Sequence, residues 1–179
     1  MEAAQKIDNS IILGKGDAEE DQLLTFILAD EEYGVDILRV QEIKGWDSVT
    51  PIPNTPKYIR GVINLRGTIV PIIDLRSRFG LDAIPYGPTT VVIVLKVMNE
   101  ANTRTMGIVV DGVSDVYNVG EEAMKPPPDF GSVISIDFVR GLATVGENMV
   151  IVLDIDHLLN SDELKVSHSV AQAAIKDEK

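Results

Sequence analysis

The stretch Arg60-Gly-Val-Ile-Asn-Leu-Arg-Gly-Thr-Ile-Val-Pro-Ile-Ile-Asp-Leu75 returns, weakened, as Arg140-Gly-Leu-Ala-Thr-Val-Gly-Glu-Asn-Met-Val-Ile-Val-Leu-Asp-Ile155. An ungapped offset of 80 carries Gly61 onto Gly141, Val70 onto Val150, Asp74 onto Asp154 and Leu75 onto Ile155. Each copy reads as an apolar strand, a turn holding Gly67 or Gly146, a second apolar strand, and a short helix capped by an aspartate. Two such units predict two similar barrels or sheets, and 179 residues suffice for two fused halves around a continuous core. Short runs rich in Val and Ile make the chain mostly β.

Other segments follow from local chemistry. Residues 23–28 read as a strand, 30–32 as an acidic turn, and 33–37 as the returning strand of a hairpin. Ile37, Val40 and Ile43 could form one helical face, but residues 40–43 also alternate. Their counterpart in a second, offset-73 repeat (Gly34 onto Gly107) carries Gly112, which disfavours a helix interior, so strand is preferred. Pro51, Pro53 and Pro56 lack backbone donors and mark a loop. Residues 82–88 link the halves, taken as 22–83 and 89–160 with strands free to exchange; residues 91–95 predict a strand buried on both faces. Residues 99–105 form a long polar loop, and 126–130 a stiff surface segment ending at Phe130. Residues 1–21 are expected to be a mobile tail, and 161–179 a tail with a weakly amphipathic helix through Leu164, Val170 and Ala174. Ile63, Val70, Ile72, Ile73, Val150 and Val152 are the expected core.

Charge and composition exclude several functions. A formal charge of −12 with no Lys/Arg cluster argues against nucleic acid and anionic membrane surfaces as partners. The absence of cysteine removes disulfides, thiolate metal sites and thiol nucleophiles, and fits a reducing compartment. No apolar run approaches a membrane span, and Met1-Glu-Ala-Ala does not begin like a signal peptide, so a cytoplasmic protein is expected. His157 and His168 have no ligand spacing, Gly14-Lys-Gly16 is not followed by the third glycine of a dinucleotide loop, and no nucleophile elbow or Walker loop occurs. No cofactor or metal is expected. Asp111 and Asp115 could serve as paired carboxylates, though exposed hairpin positions are the simpler reading. Arg66, where the second copy has Gly146, and Glu42, charged within an apolar strand, break the repeat's symmetry; a charge present once suggests a task performed once.

Tyr33-Gly-Val-Asp-Ile-Leu-Arg-Val-Gln-Glu-Ile43, Asn54-Thr-Pro56, Ile59-Arg-Gly-Val-Ile-Asn-Leu-Arg-Gly67, Val70-Pro-Ile-Ile-Asp-Leu75 and Val109-Val-Asp-Gly-Val-Ser-Asp115, in this order, resemble the CheW family of bacterial chemotaxis coupling proteins over roughly residues 20–162. The resemblance implies two five-stranded SH3-like β-barrels related by the internal repeat, with short capping helices, and a non-catalytic adaptor. Its implied partners are the cytoplasmic hairpin tips of chemoreceptors and the regulatory domain of the histidine kinase CheA, with which such adaptors alternate in rings within membrane-associated arrays. The adaptor itself is expected to be a monomer in isolation. Carried over position by position, the receptor groove falls on Ile37, Val40, Glu42, Gly61, Arg66, Val91 and Val116, and the kinase or ring contact on Phe130 and Arg60. The 99–105 loop and the proline triplet before Phe130 depart from the family pattern. The alternatives are an adaptor of another, pilus-type array, or a small β-barrel hydrolase using Asp111 and Asp115 with Arg66 as a clamp.

Overall fold

A computed structural model of the chain describes residues 21–128 and 138–160. Residues 1–20 of the expected N-terminal tail, the C-terminal tail with its helix, His168 and Phe130 lie outside the described residues, and Asp21, expected in the tail, begins the first strand. The strands are β1 (Asp21–Leu28), β2 (Glu31–Asp36), β3 (Val40–Gly45), β4 (Ile59–Leu65), β5 (Thr68–Asp74), β6 (Val91–Met98), β7 (Thr103–Val110), β8 (Gly112–Val119), β9 (Met124–Lys125), β10 (Val139–Val145) and β11 (Asn148–Leu153). Short capping helices, Leu75–Arg78 and Ile155–Leu159, follow β5 and β11. Asp74 accepts from the Ser77 amide and Asp154 from the His157 amide, so both copies of the repeat end on the predicted side-chain cap.

The two sheets have the orders β8-β1-β2-β11-β10-β9 and β3-β6-β7-β5-β4. Each contains two antiparallel hairpins joined by one parallel pairing, β2 with β11 and β7 with β5. The repeat therefore relates the sheets strand for strand, but the β1–β2 and β6–β7 hairpins are exchanged between the halves. β3, which follows β2, pairs with β6, and β8, which follows β7, pairs with β1. Neither half of the sequence builds a sheet from its own strands alone. The sixth strand, β9, departs from the expected five. Its Lys125 lies opposite Leu142 as Thr50 lies opposite Val62, so β9 is a longer version of the single bridge that joins the segment after β3 to β4.

Side chains alternate between the two faces of a strand, and in the inner strands both faces are buried. In β6, Val92 and Val94 join Val70, Ile72 and Val109 inside one sheet, while Ile93, Leu95 and Val97 face the other way. There they meet Leu24, Phe26, Leu28 and Val35 of the second sheet in a central cluster completed by Leu75, Ile155, Leu158 and Leu159 of the capping helices. Leu23, Val119, Ala143, Val150 and Val152 fill the interior of the second sheet. The expected core residues divide among these three clusters, and Ile63 is only partly buried.

Smaller expectations shift. The first hairpin turns at Ala29 and Asp30, both with positive φ, so Glu31 and Glu32 belong to β2 rather than to the turn. β2 stops at Asp36, whose carboxylate accepts the Leu38 amide and starts a 3-10 turn at Ile37–Arg39, so Ile37 is not in the strand. The polar loop shortens to residues 99–102, where Asn99 Oδ1 accepts the amides of Ala101 and Asn102.

Candidate functional site

The hairpin exchange leaves β3 and β8 at sheet ends, and their registers decide which side chains face the central cluster. Opposed residues of antiparallel strands share a face. Val40 lies opposite Leu95 and Ile43 opposite Ile93, so both point to the central cluster, with Gln41 absorbed by a register shift. On the other sheet Val116 lies opposite Leu24 and Val113 opposite Phe26. Ile37, Val40 and Val91 are partly buried against the same cluster. Ile43 (42%), Val113 (38%) and Val116 (41%) stay partly exposed at its margin. Ile37, Val40 and Val91 thus border the central cluster, and the register of β8 directs Val116 toward the same cluster from the other sheet.

Glu42 and Arg66 sit differently. Glu42 lies opposite Val94 and so faces the interior of its own sheet. Arg66 occupies the β4–β5 turn, and its Nη1 donates to Glu42 Oε1 at 2.7 Å. The pair joins β3 to the far strand hairpin, beyond the apolar face of β3 rather than within it, and the Arg66 side chain is 75% exposed. Gly61 is buried in β4 with φ +142°, and a Cβ there would stand 2.3 Å from the Thr50 carbonyl oxygen; this close backbone crossing alone requires glycine. Gly141 has the equivalent crossing against the Lys125 carbonyl. Arg60 is exposed, with its guanidinium 5.5 Å from the centre of the Tyr86 ring, which in turn meets Trp46 edge-on. Tyr86 donates to Asp74; burial and this bond push its hydroxyl pKa well up.

Ile43 and Val113 escaped sequence reading, although a signal was present. The offset of 73 that carries Gly34 onto Gly107 also carries Val40 onto Val113 and Ile43 onto Val116, so β3 and β8 carry copies of one apolar pair.

The carboxylates raised as candidate acid and base are otherwise engaged. Arg76 donates to Asp111 from Nε and Nη2, and the Ala29 amide donates to Asp111 Oδ2. Asp115 Oδ1 accepts its neighbour's amide, from Val116. Arg66 pairs with Glu42 and not with either aspartate. A cavity of about 240 Å³ opens between Trp46 and Asn64, and another of about 330 Å³ beside Asp36 and Asp156; none of the seven groove residues lines either one. Among the described residues no three His, Asp or Glu side chains converge to hold a metal.

Two end strands with exposed apolar side chains beside a shared core, and a charged pair beyond one of them, have the character of a docking surface rather than of a catalytic cleft. The comparisons with known proteins agree. A family model described as CheW-like domain matches residues 22–163. A chemotaxis protein CheW of Klebsiella aerogenes is 48% identical over 158 residues, covering 88% of this chain and 93% of the relative. One from Rhizobium meliloti is 37% identical over 142 residues, covering 79% and 89%. The crystal structure of the scaffolding protein TtCheW from Thermoanaerobacter tengcongensis superposes with a TM-score of 0.71 at 34% identity, covering 80% of this chain and 94% of that one. The chain belongs to the CheW-like family: it is a chemotaxis coupling adaptor built of two SH3-like β-barrels. The carboxylate hydrolase is not favoured.

Proposed function

We propose that the chain joins the cytoplasmic hairpin tips of transmembrane chemoreceptors to the regulatory domain of the histidine kinase CheA, acting without catalysis of its own. The observation that carries this reading is the matched pair of apolar walls. Val40 and Ile43 on β3 face the same central cluster as Val113 and Val116 on β8, and three of the four remain exposed for a partner. A helical hairpin presents a ridge of apolar side chains at intervals that suit such a channel. Ile37, Val40, Val91 and Val116 supply its walls. Glu42 and Arg66 supply a charged rim that selects orientation more than it adds affinity. Gly61 contributes by letting the Thr50 segment cross β4, which holds the β4–β5 turn and Arg66 in place.

Arg60 and Phe130 are assigned to a separate kinase contact, so one adaptor can hold a receptor and kinase neighbours together. Among the described residues no helix is long and apolar enough to cross a membrane; on this reading the protein works in the cytoplasm and reaches membrane-associated arrays through the receptors.

The test is co-sedimentation with receptor hairpin fragments and the kinase. Val116→Asp, which puts a charge in the channel, should abolish receptor capture, whereas Phe130→Ala should reduce kinase recruitment and leave receptor capture within about twofold. Equal loss of both partners in both variants would refute the division of the surface.

A further inference from the structure

Two ion pairs near β3 and β8 join corresponding parts of the two repeat copies with their charges reversed: Arg76 and Asp156 are equivalent under the offset of 80, and Arg39 and Asp111 lie on corresponding crossovers, one position apart under the offset of 73. Arg39, in the crossover from β2 to β3, donates from Nη1 and Nη2 to the two carboxylate oxygens of Asp156, each at 2.7 Å. Arg76 donates from Nε and Nη2 to the two oxygens of Asp111, in the crossover from β7 to β8, each at 3.0 Å. Arg76 and Asp156 hold the same place in the two capping helices, two residues after Asp74 and Asp154. A cation on one crossover facing an anion on a helix has become an anion on the other crossover facing a cation. What the two copies share is the bond, not the residues.

Each pair also gathers backbone from a third segment. Arg39 Nη1 donates to the Lys96 carbonyl and Asp156 Oδ1 accepts the Met98 amide, both on β6. Asp111 Oδ2 accepts the Ala29 amide of the β1–β2 turn. The helix carrying Asp156 follows β11 of one sheet, while Arg39 and β6 lead into or belong to the other. The helix carrying Arg76 follows β5, while Asp111 and Ala29 lead into or belong to the sheet opposite. Each pair therefore fastens the helix of one sheet to the crossover that enters the other. Arg39 stands between Ile37 and Val40, and Asp111 just before Val113, so each fastening lies within two residues of a channel wall. The forked geometry and partial burial, with side-chain exposures of 15–31%, separate these pairs from ordinary surface contacts.

We propose that Arg39–Asp156 and Arg76–Asp111 are positioning pairs that fix the β3 and β8 walls, respectively, at the spacing needed for docking. The proposal rests on the docking reading above, but its first readout does not require a partner. Amide hydrogen exchange of the full chain should show Asp156→Asn, which keeps the shape and an acceptor for Met98, accelerating exchange in β3 about tenfold while β8 and β11 stay within about twofold. Arg76→Gln should give the mirror result, faster in β8 and unchanged in β3. Arg39→Lys, which keeps charge but loses the fork, should fall between wild type and Asp156→Asn. Affinity for a receptor hairpin fragment should fall about five- to tenfold in Asp156→Asn and Arg76→Gln. Uniform acceleration over all strands would make the pairs general stabilisers, and no acceleration would make them irrelevant to the walls; either result overturns the proposal. Local acceleration in a protein whose wild type does not bind the fragment would instead overturn the docking reading.

Discussion

Arg66 is held in a conformation that its residue type does not favour. It has φ +51° and Gly67 has φ +90°, a two-residue turn that ordinarily takes Asn-Gly or Gly-Gly, and the second copy has Gly146 at the same point with φ +62°. A left-handed arginine costs roughly 1 kcal/mol, and an exposed ion pair with Glu42 returns only about 0–1 kcal/mol. Stability alone does not account for the residue. Arg66→Gly is expected to leave stability unchanged or raise it by up to about 1 kcal/mol, while weakening receptor-dependent kinase activation; melting curves and a reconstituted kinase assay check the two halves. Gly61 obeys the opposite logic. Gly61→Ala should cost more than about 2 kcal/mol in chemical denaturation, because its methyl group meets backbone and not a movable side chain. Asp156 makes a prediction about pH. Burial pushes its carboxyl pKa up, but the bonds from Arg39 and the Met98 amide outweigh this and leave it below the ordinary 3.8. A lowered folded pKa means stability that is complete above the unfolded value and lost as pH falls through the folded one. The stability gap between wild type and Asp156→Asn should therefore be constant near neutrality and close below pH 3.8, as read by urea denaturation at each pH. Of these residue features, the singularity of Arg66 and Glu42 was legible in the sequence because the repeat exposed it. The strained φ was not, since a two-residue turn is decided by strand register.

Among the elements, β6 shows best why the apolar run at residues 91–95 reads so clearly. Alternate side chains enter two different clusters, so neither face can be polar. Leu95→Ala in the central cluster and Ile72→Ala inside one sheet should each cost about 2–5 kcal/mol. Both variants should still unfold in one transition, since the central cluster draws on both sheets; two separate transitions by calorimetry would contradict a shared core. The helix caps were equally legible, because an aspartate before a short amphipathic run has a local physical meaning. The end of β2 was harder. Val35 and Ile37 alternate like a strand, and only the Asp36 carboxylate reaching the Leu38 amide stops it. Ile43 and Val113 were hidden for a related reason: an apolar residue in an end strand reads as core in sequence, and only its exposure in the fold shows that it is incompletely covered.

On the scale of the whole molecule, the repeat reveals that two similar units exist but not which strands each unit contains. Equivalence under an offset is the same whether β3 pairs with its own half or with the other. The exchange has a direct consequence: residues 21–83 and 89–160 expressed separately should not fold, each lacking the two-strand hairpin its sheet takes from the other half, β6–β7 or β1–β2. Mixing the two should recover β-sheet circular dichroism, and a half that folds alone would contradict the observed pairing. On the proposed reading the same exchange builds the docking channel, because it sets β3 beside β6 and β8 beside β1 and so brings copies of one apolar pair to the margin of the central cluster from opposite sheets. Backbone and methyl chemical-shift mapping, with an unlabelled receptor hairpin fragment titrated into labelled adaptor, tests that claim most directly. The perturbed residues should be Ile37, Val40, Ile43, Val91, Val113 and Val116, with Arg66 responding at the rim and β10 silent. Perturbations centred instead on the cavity between Trp46 and Asn64, or on β10 and β11 with both walls unmoved, would contradict docking between β3 and β8.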